Sequence, residues 1–241
     1  MEKAEDKLAQ TFGTTTAMLL KLGIFYKMAR GGVSTGTGQY IFKEADKLKN
    51  EMQHLRCLDD PGGKKFISAL DELHLKMAEE TQSVIDSAFI VFAHGILESC
   101  IYDYLAVTTM ACPERWERFI KKKTVEFETV RSKSFEQIRK DKIGKLLNSV
   151  RRESLIDKLN RLHQIVPPTT EITFPYDSKK LVKFDKARHN IVHGNDWSSY
   201  PFNFDLESAY WFLLNNYFAK LICVNTGLKL STEKASQYLL S

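Results

Sequence analysis

The spacing of apolar residues predicts helices over most of the chain. Across residues 81–110, apolar side chains recur every three or four positions in a stripe wide enough to be covered on more than one side. The same period predicts shorter helices at residues 2–30, 40–58, 64–75, 134–149, 154–163, 178–192, 206–226 and 231–240. Helices that are apolar on several sides need helical neighbours, so the pattern predicts an all-α, antiparallel helical bundle with additional N-terminal helices.

The breaks between these helices follow from proline, glycine and threonine. Three threonines at 14–16 leave either one long or two short helices open for the first segment. A turn is predicted at 59–63, and Pro113 is expected in the first turn of the element after the central helix. Gly194 is expected just past the end of a helix. Residues 169–176, which follow two prolines, are predicted to form a short strand or an irregular loop.

The length of the chain bounds its domain organisation. A chain of 241 residues with 43% hydrophobic content buries one substantial core or two modest ones. We interpret residues 81–241 as the main helical domain and residues 1–80 as an N-terminal helical extension, either separate or part of the same bundle. The glycine-rich stretch 31–38 is interpreted as a linker, because it lacks the lysine that a phosphate-binding loop needs after its last glycine.

Cysteine usage and apolar content favour a cytoplasmic protein. The four cysteines form no C-x-x-C pair, which is typical of reduced, buried thiols rather than a zinc or disulfide scaffold. Three acidic residues among the first six differ from the basic start of a signal peptide. The longest apolar run, 84–110, contains polar or charged residues that a membrane span rarely tolerates: Asp86, His94, Glu98 and Asp103. We therefore expect a core helix of a soluble protein and no membrane partner.

Charge is distributed unevenly along the chain. The formal net charge is +5, but residues 115–161 carry fifteen Lys or Arg and seven Asp or Glu, which gives this segment +8 and the rest −3. Such a segment either holds a nucleic-acid backbone without reading its sequence or forms a solvated helical face. The candidate RNA-binding residues are Lys121, Lys122, Lys123, Arg139, Lys140, Lys142, Arg151, Arg152 and His189.

The chemistry most suited to RNA lies at the end of the predicted helix 178–192. Arg188 offers a permanently charged fork that matches two phosphate oxygens, and His193 accepts and returns a proton near neutral pH. Five positions correspond to about 140° around a regular helix, too far for one compact site. Gly194 loosens the last turn, however, so that His193 could turn toward the face that carries Arg188.

The motif is similar to that of a known family. An Arg-x-x-x-x-His spacing with a polar residue inside it, at the end of a helix and followed by glycine, resembles the signature of the HEPN superfamily. Arg188 and His193 match its two defining positions, and Asn190 matches the polar one. The apolar run 89–102 resembles the family's earlier core helix, in which Glu98 fills the acidic position. The resemblance covers roughly residue 81 to the C-terminus.

The resemblance implies a metal-independent endoribonuclease without a cofactor, of the toxin–antitoxin or antiviral-defence type. In that mechanism the ribose 2′-hydroxyl attacks the adjacent phosphate, which leaves a cyclic phosphate and a 5′-hydroxyl. His193 would act as general base or acid, and Arg188 would bind the scissile phosphate. Glu98, with Asp185 as a second candidate, would orient the guanidinium, and Asn190 would hydrogen-bond the imidazole or the phosphate.

The resemblance also implies partners. HEPN domains pair so that two copies of the motif face each other, which implies a homodimer with a composite site. Each motif has one histidine, and the second copy supplies another, so that the general acid and the general base can be separate groups. The expected partners are RNA, a second copy of the chain, and an antitoxin or sensor protein.

Other interpretations of the same residues stay open. Arg and His near a helix C-terminus also complement the helix dipole, and the chain would then be a catalytically inactive HEPN-like module for dimerisation or RNA binding. His189 and His193, four positions apart, fit a structural metal site with a distant third ligand, whereas Asn190 excludes the H-E-x-x-H protease motif. His94, one turn from Glu98, is either a satisfied buried residue or a further member of the site.

Overall fold

The fold is all-α, as the apolar period predicts. The computed structural model describes residues 1–32, 61–120, 132–170, 178–194 and 200–239, with single positions at 47, 129, 172, 174 and 175; within 61–79, side chains are described only at 72 and 76. The helices are α1 (Glu2–Gly32), α2 (Pro61–Ala111), a 3-10 helix (Pro113–Phe119), α3 (Phe135–Val150), α4 (Leu155–Ile165), α5 (Ser178–Val192), α6 (Phe204–Thr226) and α7 (Thr232–Gln237). The described residues contain no strand.

The two longest helices are more continuous than predicted. Helix α1 runs through the threonines at 14–16, where Thr16 donates its hydroxyl to the Phe12 carbonyl at 2.8 Å instead of disrupting the helix. Helix α2 begins at Pro61, inside the predicted turn, and continues through residues 76–80, where a break was expected. Proline suits a first helical turn, and the sequence at 76–80 consists of strong helix formers. The predicted turn at Pro61 and the predicted break are therefore wrong.

The middle helices begin and end at residues that satisfy their free backbone groups. Ser134 and Gln137 form a capping box at the start of α3. Ser154 caps α4 and Asn203 caps α6, each by accepting a backbone N–H of the first turn. Gly227 follows α6 with a φ of 72°, in the left-handed region that favours glycine. These local signals explain why the predicted bounds of α3, α4 and α6 agree with the observed ones to within two residues.

Several predictions concern segments that the structure describes only in part. The predicted helix 40–58 is described only at position 47, and the linker at 31–38 is described only at its first two residues, which belong to α1. In the segment 169–176, the described positions 172, 174 and 175 have no regular structure. The final helix, α7, is shorter than the predicted 231–240.

Packing divides the chain into two units. The first comprises Met1–Leu20 and Phe92–Ser241, and the second comprises Lys21–Val91. The predicted boundary at residue 80 lies inside the second unit, and the first twenty residues belong with the C-terminal part. In the second unit, the Tyr26 hydroxyl donates to Asp86 Oδ1 at 2.9 Å and links α1 to α2.

The first unit has an aromatic core that contains a buried amide, Asn215. Its largest fully buried side chains are Trp116, Trp211, Tyr104, Phe184 and Phe218. Asn215 on α6 accepts the Tyr104 hydroxyl at 2.7 Å and donates to Thr16 Oγ1 at 3.0 Å. Because a buried amide needs several partners, these bonds fix α1, α2 and α6 relative to one another within this unit.

One stretch of the described helices, residues Glu80–Ala111, is long and apolar enough to cross a membrane by length and composition alone. The core helices of soluble proteins have the same length and composition. The predicted cytoplasmic location therefore stays a prediction.

Candidate functional site at the end of helix α5

The inner face of α5 attaches the motif to the core of the first unit. Leu181, Phe184 and Ala187, at helical spacing, are all buried. The Phe184 ring lies 6.1 Å from the Trp211 ring and 6.0 Å from the Tyr200 ring, measured between centroids. These contacts fix the rotation of α5 and leave residues 188, 189 and 193 at its periphery.

The C-terminal end of α5 has the geometry that Gly194 predicts. The last helical residue is Val192, and the Gly194 φ of 69° lies in the left-handed region. The backbone N–H of His193 donates to the His189 carbonyl at 3.1 Å, and that of Gly194 donates to the Ile191 carbonyl at 3.2 Å. His193 therefore stands just beyond the helix on a turn that the backbone defines.

The outer end of α5, which we define as Arg188, His189 and His193, brings a guanidinium and two imidazoles to one helix end. Arg188 is half-buried, and both histidines are exposed. In the described parts of the chain, neither the guanidinium nor either imidazole makes an ion pair or hydrogen bond. The two imidazole centroids lie 4.3 Å apart with their planes tilted by 49°. The His193 ring thus lies against His189, whereas the sequence suggested a turn toward Arg188. The polar motif residue Asn190 is half-buried on the same helix.

A cluster of charged groups, built from the buried side chains His94 and Lys158 and two half-buried carboxylates, lies one turn before this end of α5. His94 on α2 is 3% exposed, and its Nε2 lies 2.7 Å from Asp185 Oδ1, a separation at which the ring N–H donates to the carboxylate. The other ring nitrogen, Nδ1, is buried without a hydrogen-bond partner and lies 3.6 Å from Glu98 Oε2. The His94 ring also packs against Phe184, with centroids 5.8 Å apart.

Lys158 on α4 completes this buried cluster, which we define as His94, Glu98, Lys158 and Asp185. Its ammonium lies 2.8 Å from Glu98 Oε1, and the residue is 3% exposed. From the family resemblance we expected Glu98, with Asp185 as a second candidate, to orient the Arg188 guanidinium. In the structure both carboxylates contact other groups, because Lys158 and His94 project from α4 and α2 into the space between the helices.

Part of the predicted basic surface is exposed. Lys140 and Arg152 are exposed, Lys142 is half-buried, and the Arg151 guanidinium lies over the Tyr102 ring at 5.7 Å. The positions Lys121, Lys122 and Lys123 lie outside the described residues. Lys140 and Arg152 are therefore the described candidates best placed to meet a nucleic acid.

Other cations of the basic segment are neutralised by acids nearby. Arg139 Nε lies 2.7 Å from Glu117 Oε1 on the 3-10 helix. Arg161 Nε donates to Glu153 Oε2 at 3.0 Å. Both acids already count in the net +8 of the segment, so these pairs leave its net charge unchanged but reduce the number of unpaired cations that it offers to an anionic partner.

The described thiols are unsuited to nucleophilic or metal chemistry. Cys100, Cys112 and Cys223 are free. Burial raises the pKa of Cys100 to about 12 and that of Cys112 to about 11, so both stay protonated at neutral pH. Reactive and metal-binding cysteines need the thiolate form.

The described residues contain no three-ligand metal site. No group of three His, Cys, Asp or Glu side chains among them is arranged to hold an ion. The pair His189 and His193 thus has no third ligand of these types in the described part of the chain. Any ion bound by this pair would complete its coordination with water.

Comparison of the chain with protein-family models, curated proteins and solved structures finds no match. The HEPN resemblance therefore depends on the motif residues and on their placement at the end of α5.

The sequence contained one overlooked signal for the buried cluster. Lys158 interrupts the apolar stripe of α4, whose buried members include Leu155, Leu159 and Leu162. A lysine inside such a stripe indicates a buried cation, which needs an acidic partner. The contact between His94 and Asp185 had no such signal, because it joins residues 91 positions apart.

Proposed function

We propose that the chain is a metal-independent endoribonuclease whose site is the outer end of α5. The observation that carries the proposal is that Arg188 makes no ion pair or hydrogen bond with the described residues, beside two exposed imidazoles. Two other part-buried cations, Lys158 and Arg139, are paired with carboxylates. A half-buried guanidinium that is held at a helix end without a carboxylate is suited to bind an external anion, and a phosphodiester offers matching oxygens.

The proposed reaction needs no metal or cofactor. An imidazole takes the proton of the ribose 2′-hydroxyl, the 2′-oxygen forms a bond to phosphorus, and the bond from phosphorus to the 5′-oxygen breaks. A second group returns a proton to the 5′-oxygen, which leaves a 2′,3′-cyclic phosphate and a 5′-hydroxyl. Arg188 binds the phosphate and stabilises the charge that develops on its oxygens.

The position of the two imidazoles favours a composite site in a homodimer. In an in-line displacement, the attacking and leaving oxygens lie on opposite sides of phosphorus. His189 and His193 of one chain are adjacent, with centroids 4.3 Å apart, so both approach a phosphate from the same side. A facing second copy would supply the imidazole for the opposite side, as the twofold symmetry of a dimer allows.

The exposed cations Lys140 and Arg152 would add contacts to the RNA backbone away from the cleaved bond. A nuclease that needs no cofactor is active as soon as it folds. The proposal therefore includes a toxin–antitoxin or antiviral-defence setting, with an antitoxin or sensor protein as partner, and a cytoplasmic location.

A second candidate function is an inactive HEPN-like module that binds RNA or dimerises. The observation that favours it is the orientation of His193, whose ring packs on His189 and not toward Arg188. In this case Arg188 would bind a phosphate that no group cleaves.

Cleavage of unstructured RNA in the presence of a chelator tests the two candidates. The wild-type protein should yield fragments with 2′,3′-cyclic phosphate and 5′-hydroxyl ends. His193→Ala should lower the rate by about 10²- to 10⁴-fold, since it removes a general base or acid. Arg188→Ala should lower it by about 10²- to 10³-fold, as loss of a charge-stabilising donor does.

Lys186→Ala is the matched control, because it removes an exposed cation from the same helix. It should leave the cleavage rate nearly unchanged. The specific activity should also fall on dilution if two chains form the site. Undiminished cleavage by His193→Ala would overturn the proposal, and RNA binding without any product would favour the inactive module.

A further inference from the structure

The two histidines at the outer end of α5 have the arrangement of a chelating pair. His189 and His193 are one helical turn apart, both are exposed, and their ring centroids are separated by 4.3 Å. Neither imidazole makes a hydrogen bond or an ion pair with the described residues. Each therefore keeps a ring nitrogen available to an external ligand.

We propose that His189 and His193 together bind one divalent transition-metal ion, such as Cu²⁺, Ni²⁺ or Zn²⁺, through one ring nitrogen each. Imidazole nitrogens bind such ions at about 2.0–2.1 Å, which places two of them about 3 Å apart on one ion. Rings whose centroids lie 4.3 Å apart reach that separation by rotation about the bond between the ring and Cβ. The helical backbone at His189 and the turn at His193 need not move.

The electrostatic surroundings are mixed. The free carbonyls at the C-terminus of α5 give this end a partial negative charge, which favours a cation. Asp185, one turn before His189, adds a carboxylate on the same helix. Arg188 opposes binding because it places a permanent positive charge beside the pair. With two protein ligands and water in the remaining positions, binding is moderate, and Cu²⁺ is preferred over Ni²⁺ and Zn²⁺ in the general order for nitrogen ligands.

The metal would regulate the site described above, and this part of the inference rests on the proposed function. The general base uses the same nitrogen lone pair that binds the ion. A nuclease that needs no metal would therefore be inhibited by one, in proportion to the occupancy of His193. Removal of the ion by a chelator would restore cleavage.

Titration of Cu²⁺, Ni²⁺ and Zn²⁺ into protein without a polyhistidine tag, in the absence of RNA and at neutral pH, tests the inference. Wild-type protein should bind one ion at this pair, and the electron paramagnetic resonance of bound Cu²⁺ should show two imidazole nitrogens. His189→Ala or His193→Ala should each weaken binding by about tenfold, since a single imidazole lacks the chelate advantage. The double variant should lose this site.

Arg188→Ala separates the two proposals. It should lower the rate of RNA cleavage by about 10²- to 10³-fold. It should keep or tighten metal binding, because it removes the neighbouring positive charge. Equal Cu²⁺ affinity in wild type and in the double variant, or a signal from a single nitrogen in wild type, would overturn the metal site. Absence of RNA cleavage by metal-free wild-type protein would overturn the proposed function. The binding measurement would still decide whether His189 and His193 hold a metal ion.

Discussion

Helix α5 has two groups of charged and titratable side chains in opposite situations. One turn before its end, Asp185 contacts His94, and the buried cluster continues through Glu98 to Lys158. At its outer end, no ion pair or hydrogen bond to the described residues holds the Arg188 side chain or either histidine ring. One group is paired across three helices, whereas the other has a half-buried guanidinium and two exposed imidazoles.

The difference separates charges that are paired inside the protein from charges that are available to a ligand. A charge removed from water needs a partner, since an unpaired buried ion costs several kcal/mol. The buried cluster meets this requirement. Arg188 is half-buried and yet has no acidic partner among the described residues, so its charge remains available to a ligand. This contrast, more than the motif spacing, is why we assign function to the outer end.

Loss of Lys158 should give the largest effect on stability. Lys158→Met replaces the lysine with an apolar side chain of similar length and leaves Glu98 without its cation. Breaking a buried ion pair costs about 3–5 kcal/mol, and we expect about 3 kcal/mol because Glu98 is partly exposed. Urea unfolding of the variant measures this loss. Lys186→Met, which removes an exposed lysine from α5, should stay within about 0.5 kcal/mol of wild type.

A double-mutant cycle sharpens the same point. Glu98→Gln combined with Lys158→Met removes both charges, so the double variant should be more stable than the sum of the single losses predicts. We expect a coupling energy of about 1–3 kcal/mol. A coupling energy near zero would contradict this account, and so would a loss of unfolding free energy of less than about 1 kcal/mol for Lys158→Met alone. Either result would show that the ion pair between Glu98 and Lys158 contributes little to stability.

The backbone at the outer end should respond to Gly194→Ala. The Gly194 φ of 69° is unfavourable for alanine, so the variant should lose about 1 kcal/mol of stability. Gly95→Ala is the matched control, since an added Cβ meets nothing within 4 Å at either position. Gly95 lies inside α2, where alanine should stabilise by about 0.5–1 kcal/mol. Thermal unfolding should therefore shift in opposite directions, and shifts of the same sign would contradict this account.

The sequence predicted the parts of this fold that depend on local chemistry. The apolar period predicted the helices, and Pro113 and Gly194 predicted where two elements begin or end. The composition of residues 76–80 also favours a continuous α2, although we expected two helices there. Local signals of this kind act within one or two turns of a helix and can be inferred without a structure.

The sequence could not predict which charges find partners in the folded chain. Glu98 was assigned to Arg188, but Lys158 reaches it from α4. Arg139 was counted toward an RNA surface, but Glu117 on the 3-10 helix neutralises it. Both contacts depend on how helices pack, which apolar periodicity does not specify.

The same contrast between paired and free charges extends to RNA binding. Lys140 is exposed, whereas Arg139 is paired with Glu117. If RNA binds this surface, Lys140→Ala should reduce the salt dependence of binding by about 0.7 in the logarithmic slope, the value for one phosphate contact on a single strand. Arg139→Ala should change the slope much less. Fluorescence anisotropy across a salt series measures both, and equal slopes for the two variants would contradict the distinction.

The smallest expected effect on stability concerns His163. Like His94, its imidazole is at least partly removed from solvent, but its hydrogen-bond partner is the neutral hydroxyl of Tyr217. Its Nε2 lies 3.0 Å from the Tyr217 hydroxyl. Burial raises the pKa of Tyr217 to about 12, so this hydroxyl stays neutral and provides no negative charge to stabilise a protonated His163 ring.

Burial lowers the pKa of His163 in the folded protein below its value of about 6.5 in the unfolded chain. Between the two values the unfolded chain binds more protons, so stability falls as the pH drops through this window and is regained above about 6.5. Urea unfolding between mildly acidic and neutral pH should show a smaller decline for His163→Gln than for wild type. Identical declines would mean that His163 binds protons as readily in the folded chain as in the unfolded one. The contrast between buried imidazoles and the exposed imidazoles of His189 and His193 would then lose this support.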